Sequence, residues 1–203
     1  MKTRLLTICV AVTFALVFSL AAAAQFPKIK KPKEEKPATS PAESTEAKPA
    51  ASATSSDTLK KVTWADNGIS FEVPDNWEQS SLDKDTASFF LPNSPDNAGL
   101  TMTISRLGKD FPADQSLKAY RDSAAKEKSE GKLASWADQN IGAAKGLNML
   151  EAATGDDICR LTWLGYQSRG GWNMVTVIFS SKGAGMKNHE ATFRKVLGTF
   201  KIE

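Results

Sequence analysis

Ile158 to Ser180 reads ICRLTWLGYQSRGGWNMVTVIFS. Two runs rich in β-branched and aromatic residues flank Ser168-Arg169-Gly170-Gly171, and the two glycines supply the positive backbone angles that a tight reversal needs. The pattern predicts strands over Ile158 to Gln167 and Trp172 to Ser180, joined as an antiparallel hairpin. Cys159 falls in register with Leu161 and Trp163, which reads as one strand face packed into a core.

Upstream of this hairpin the same alternation predicts strands at Val62 to Ala65, Ile69 to Val73, Ala87 to Leu91, Leu100 to Arg106, Leu133 to Asn140 and Gly146 to Ala153. Asn67-Gly68 reads as a tight turn between the first two. In Leu100 to Arg106, Leu100, Met102 and Ile104 point one way and Thr101, Thr103 and Ser105 the other, the mark of a half-buried strand. Asp114 or Ser116 starts a helix carrying Leu117, Tyr120 and Ala124 at helical spacing, and Gly131 ends it. A closing helix over Asn188 to Phe200 places Phe193, Val196, Leu197 and Phe200 on one stripe. Runs of strands punctuated by two helices define an α+β class, one largely antiparallel sheet with helices packed upon it.

The stretch ISFEVPDNWE, Ile69 to Glu78, reads as a corner. Pro74 has no backbone donor and ends the strand, Asp75 and Asn76 favour a turn, and Trp77 folds its indole back over the sheet.

The chain has 203 residues and a formal net charge of +3, too small to argue for nucleic acid. Its start carries Lys2 and Arg4, an apolar run from Leu5 to Leu20, and Ala22-Ala23-Ala24. That is a signal-peptide pattern over 1–24, with cleavage expected before Gln25. The alternative is an uncleaved anchor, since the apolar run is just long enough to span and lysines follow it directly. Residues 25–58, rich in Pro, Ala, Ser, Thr, Lys and Glu, are expected to form a disordered linker. They serve either as a passive spacer or as a tether touching anionic polymer. Residues 59–203 form the one domain. A periplasmic or secreted location follows, with no membrane span after cleavage.

Three groups of residues resemble a known family. Phe71-Glu72-Val73-Pro74-Asp75-Asn76-Trp77, the helix opening Ser116-Leu117-Lys118-Ala119-Tyr120, and the final Phe193, Leu197 and Phe200, with Gly146 in a strand between them, are similar to the PsbP-like and Mog-like domains. The resemblance implies an α/β/α sandwich around an antiparallel sheet that acts as a binding or assembly module without catalysis. The family spans photosystem accessory proteins and a nuclear transport factor, so function does not follow from the fold. No residue here matches a defined ligand set of the family.

Site by site, chemistry is sparse. His189 is the only histidine, which excludes multi-histidine metal centres and leaves any triad a single base. A pairing of Cys159 with His189 has no supporting local motif. Asp83 with Asp85, and Asp156 with Asp157, lie in expected turns and fall short of a calcium loop. Gly183-Ala184-Gly185 lacks the remainder of a phosphate loop and reads as a loop entering the last helix. The aromatics offer one binding candidate. If Trp163 and Trp172 project from one sheet face, they frame with Tyr166 and Arg169 a ligand or partner groove; the alternative is packing of the sheet against its helices.

The expected function is thus an exported accessory of the bacterial envelope, binding an envelope protein partner or a small ligand, with no cofactor and no nucleic acid. A periplasmic carrier of a small ligand or metal is the alternative, and an enzyme is a third class with the least to support it.

Overall fold

A computed structural model describes residues 54–155 and 157–203. The expected signal peptide, and the expected linker up to residue 53, lie outside the described residues, as does Asp156.

Among the described residues ten strands and two helices follow in the order β1 (Leu59–Trp64), β2 (Ile69–Pro74), β3 (Glu78–Leu82), β4 (Thr86–Phe90), β5 (Gly99–Arg106), α1 (Ala113–Ser129), β6 (Leu133–Asp138), β7 (Lys145–Glu151), β8 (Ile158–Ser168), β9 (Trp172–Lys182), α2 (Gly183–Gly198) and β10 (Lys201–Ile202). Seven strands form one sheet in the order β3-β4-β5-β9-β8-β7-β6. All neighbours are antiparallel. The single expected sheet is corrected here, because β1, β2 and β10 form a separate antiparallel sheet of three.

The large core lies on one face of the seven-stranded sheet, closed over by α2 and the small sheet. Phe71 of β2 stacks on Phe200 at 4.7 Å and meets Phe89 of β4 edge-on at 5.7 Å. Phe179 of β9 stacks on Phe193 of α2 at 5.0 Å. Rings of this size carry most of the apolar area that a domain can remove from water. On the opposite face, α1 lays Ala113, Leu117 and Ala124 over Leu147, Leu164 and Tyr166. Helix, sheet, then helix with small sheet make the three layers of an α/β/α sandwich.

The corner at Pro74 forms as its residues dictate. The Trp77 amide donates to the Pro74 carbonyl at 3.0 Å, and the fully buried indole meets Phe193 edge-on at 6.0 Å. Residues 54–58, the end of the expected linker, are bonded to this corner. The Ser56 amide donates to Asn76 Oδ1, Asn76 Nδ2 donates to the Thr54 carbonyl, and Trp77 Nε1 donates to Ser55 Oγ, all within 3.1 Å.

Three expectations at element ends need correction, and one strand is added. The β1–β2 link is a four-residue loop built on a 3-10 turn, Ala65–Asn67, with Gly68 left-handed at φ 62°, in place of a two-residue turn. Strand β3 was absent from the alternation because EQSSL is an exposed edge with no apolar stripe and a bulge between Gln79 and Ser81. Helix α1 begins at Ala113 after Pro112 with no side-chain cap, so neither Asp114 nor Ser116 caps it. Helix α2 begins at Gly183, so Gly183-Ala184-Gly185 is its first turn. There a Cβ on Gly183 would stand 2.7 Å from the Gly155 carbonyl, and the close approach asks for glycine in spite of its poor helix propensity.

Candidate functional site

The groove framed by two tryptophans does not form. Trp163 and Tyr166 lie three positions apart on β8, so they face opposite sides of the sheet. Trp163 is 0% exposed in the large core and donates from Nε1 to the Gln139 carbonyl at 2.8 Å. Gly146 and Gly165, paired across β7 and β8, make room for its indole; a Cβ on Gly146 would lie 2.8 Å from the ring. Tyr166 is 3% exposed beneath α1, where its hydroxyl shares a 2.7 Å hydrogen bond with Ser116 Oγ. Burial pushes its phenol above the usual tyrosine range, and the Ser116 bond offsets part of that rise. Trp172 packs half-buried on the same side as Tyr166. Only Arg169, in the β8–β9 hairpin, keeps its head group accessible.

Cys159 and His189 have separate partners. The Cys159 thiol donates to the Glu151 carbonyl at 3.4 Å. Burial, then the Glu151 charge, pushes its ionisation up, opposite to what a nucleophilic thiolate needs. His189 lies inside α2 rather than at its start, stacked on Phe193, with Nε2 3.6 Å from Asp96 Oδ2.

A different set of residues converges at one end of the large core. The inward face of β5, β9 and β8 is built of registered rows: Leu100–Phe179–Leu161, Met102–Val177–Trp163, Ile104–Val175–Gly165, and then Arg106–Asn173–Gln167. The last row lines a recess of about 170 Å³ together with Asp66, Asn67, Arg169 and Ile104. Asn67, Gln167 and Asn173 are 4%, 1% and 7% exposed. Buried amides must be hydrogen-bonded, and their partners here come from the surrounding loops. Arg106 Nη2 donates to Asn67 Oδ1 at 3.1 Å and lies 3.3 Å from Asp85 Oδ1. Asn67 Nδ2 donates to the Lys84 carbonyl, Asn173 Nδ2 to the Arg169 carbonyl, and Gln167 Nε2 to the Glu203 carbonyl. Arg169 reaches across from the hairpin to lie against Gly68, whose missing side chain leaves the guanidinium its place.

A wider groove of about 500 Å³ runs alongside over β2 and β10, lined by Lys61, Thr63, Ser70 and Lys201. Among the described residues these four side chains make no hydrogen bond or ion pair. The recess is the better candidate because its groups are held. Sequence reasoning missed Arg106, Asn67, Gln167 and Asn173. The available signal was that each inward stripe ends in a polar residue, but that means something only once the strands are in register. Among the described residues no group of three His, Cys, Asp or Glu side chains could hold a metal ion.

The layers and topology define the class: an α/β/α sandwich around a largely antiparallel sheet, the architecture that the PsbP/Mog-like resemblance implies. Among solved structures, LpqN of Mycobacterium tuberculosis, described as involved in cell envelope biogenesis, aligns at TM-score 0.50 and 16% identity over 71% of this chain and 90% of that one. The cyanobacterial PsbP of Synechocystis sp. PCC 6803 aligns at 0.49 and 14%, over 78% and 98%. The Ran-binding protein Mog1p of Saccharomyces cerevisiae aligns at 0.42 and 9%, over 71% and 95%. At 16% identity the LpqN likeness speaks to the fold alone. No family model and no curated protein sequence matches the chain.

Proposed function

We propose that this protein is an exported, noncatalytic binding accessory of the bacterial envelope, and that the end of the sheet bearing Arg106 and Arg169 is its binding face. The observation that carries this reading is the polar row Arg106–Asn173–Gln167, which opens a recess where the rows beside it are packed. Export rests on the signal-peptide pattern of residues 1–24. It accords with the cell envelope biogenesis in which LpqN, a protein of the same fold, is involved. Among the described residues no helix is long and apolar enough to cross a membrane. The absence of catalysis is part of the proposal, supported by the separate partners of Cys159 and His189. A small-ligand carrier is the second reading and draws on the same recess.

The test is fractionation of cells expressing the full chain, with a photocrosslinking residue at position 66 beside the recess or at position 122 on the far side of α1. A chain that starts at Gln25 in the envelope fraction, with a discrete adduct from position 66 and none from 122, is the expected result. Retention in the cytoplasm, or the same adducts from both positions, would sink the reading.

A further inference from the structure

We infer that the recess takes a carboxylate bearing a hydrogen-bond donor a few atoms away, the chemistry of a hydroxy acid, an amino acid or a free chain terminus. This inference rests on the recess being the binding face. It follows from which atoms the protein has left open. The partners of the three buried amides fix which way each points. Asn67 uses both ends, donating to Lys84 and accepting from Arg106. Gln167 and Asn173 use only their NH₂ groups, toward the Glu203 and Arg169 carbonyls. Gln167 Oε1 and Asn173 Oδ1 therefore accept no side-chain hydrogen bond among the described residues, although both residues are more than nine-tenths buried and line the recess. Among the described residues no buried side-chain nitrogen or oxygen lacks a partner, so these two oxygens stand open to the recess, where an N–H or O–H of an entering molecule can take the place of water. Asp66 at the rim asks for the same.

The two guanidiniums ask for the opposite charge. Arg106 bonds through Nη2 to Asn67, the Lys84 carbonyl and Asp85, which leaves the rest of its fork open. Among the described residues the one ion pair of Arg169 is to Glu203 Oε2 at 3.9 Å, on a carboxylate that is 83% exposed. A pair so long and so well solvated holds little, and Glu203 marks a position that an incoming carboxylate can take. A bare cation is disfavoured by two arginines. A phosphate dianion would set its several oxygens against the amide oxygens and Asp66. A planar carboxylate matches the guanidinium fork, and its neighbouring donor answers the amides.

The test is a titration of the processed protein, purified from the envelope fraction, followed through the side-chain amide resonances of Asn67, Gln167 and Asn173. The probes are L-lactate, acetate and sodium chloride at matched ionic strength, and a tetrapeptide with either a free or an amidated C-terminus. Lactate should give saturable shifts at all three amides, acetate weaker ones and chloride none. Arg169→Gln should weaken lactate about tenfold or more, the loss expected for a charged hydrogen-bonding partner. Arg169→Lys, which keeps the charge without the fork, should fall between. Both variants alter a half-exposed side chain, and unchanged melting curves confirm that they fold. A free tetrapeptide binding about tenfold tighter than lactate identifies a chain terminus as the natural source; saturation by lactate with neither peptide binding identifies a free small molecule. The inference is overturned by equal drift with lactate, acetate and chloride, by wild-type affinity in Arg169→Gln, or by equal binding of the amidated peptide. An adduct from position 66 that persists in those cases leaves the binding face standing and removes only its ligand.

Discussion

Ile104–Val175–Gly165 and Arg106–Asn173–Gln167 are adjacent rows on one face of one sheet, about 7 Å apart at two residues of strand rise. The first belongs to the large core, with the Trp163 ring against Gly165. The second is wholly polar, and the loops around it serve as hydrogen-bond partners where α2 and the small sheet provide the packing elsewhere. The difference teaches that the strands continue past the point where the core ends. A surface built on such continuing strands inherits their rigidity, which is what a binding site needs and a loop does not supply.

The contrast between the rows can be broken from the apolar side first. Phe179→Ala removes a fully buried ring stacked on Phe193 and should cost about 3–5 kcal/mol in urea unfolding. Gly165→Ala inserts a methyl into the Trp163 ring and should cost about 1–3 kcal/mol by overpacking, with a change in tryptophan fluorescence. In the polar row, Arg106→Gln gives up one partly buried charged bond to Asn67 and should cost about 1 kcal/mol in the same assay. A loss there as large as that of Phe179→Ala would make the polar row part of the core and end the distinction.

The smallest effect concerns the turn that borders the recess, where Lys84 and Asp85 meet Arg106. The Asp85 amide, then the Ser81 hydroxyl and the Thr86 amide, hold the Asp83 carboxyl below its usual range. A carboxyl lowered on folding contributes stability above its unfolded value, and that contribution fades as the pH falls through the lowered one. Asp83→Asn should therefore flatten the melting temperature's dependence on pH below about pH 4 and leave it parallel to wild type near neutrality. An unchanged acid limb would show that the Asp83 bonds do not hold the turn.

Strands β2, β5, β8 and β9 and the stripe of α2 were legible in the sequence because each buries one face and so carries its own periodicity. Strand β3, with exposed side chains, and β10, with two residues, carry none. They are strands because β4 and β2 offer them hydrogen bonds. The same distinction separates the two proposed sites. Trp163 and Trp172 drew attention by residue type, yet the alternation of strand faces sends them to opposite layers.

By itself the sequence determined the α+β class, the hairpin at Ser168 to Gly171 and the corner at Pro74, since each depends on properties that a residue carries locally: a closed φ, a free φ, an alternating face. Tertiary structure alone decided the division into two sheets and the recess. Gln167 and Asn173 face each other across the hairpin, but Arg106 is tens of residues away along the chain, and only the pairing of β5 with β9 sets it beside them.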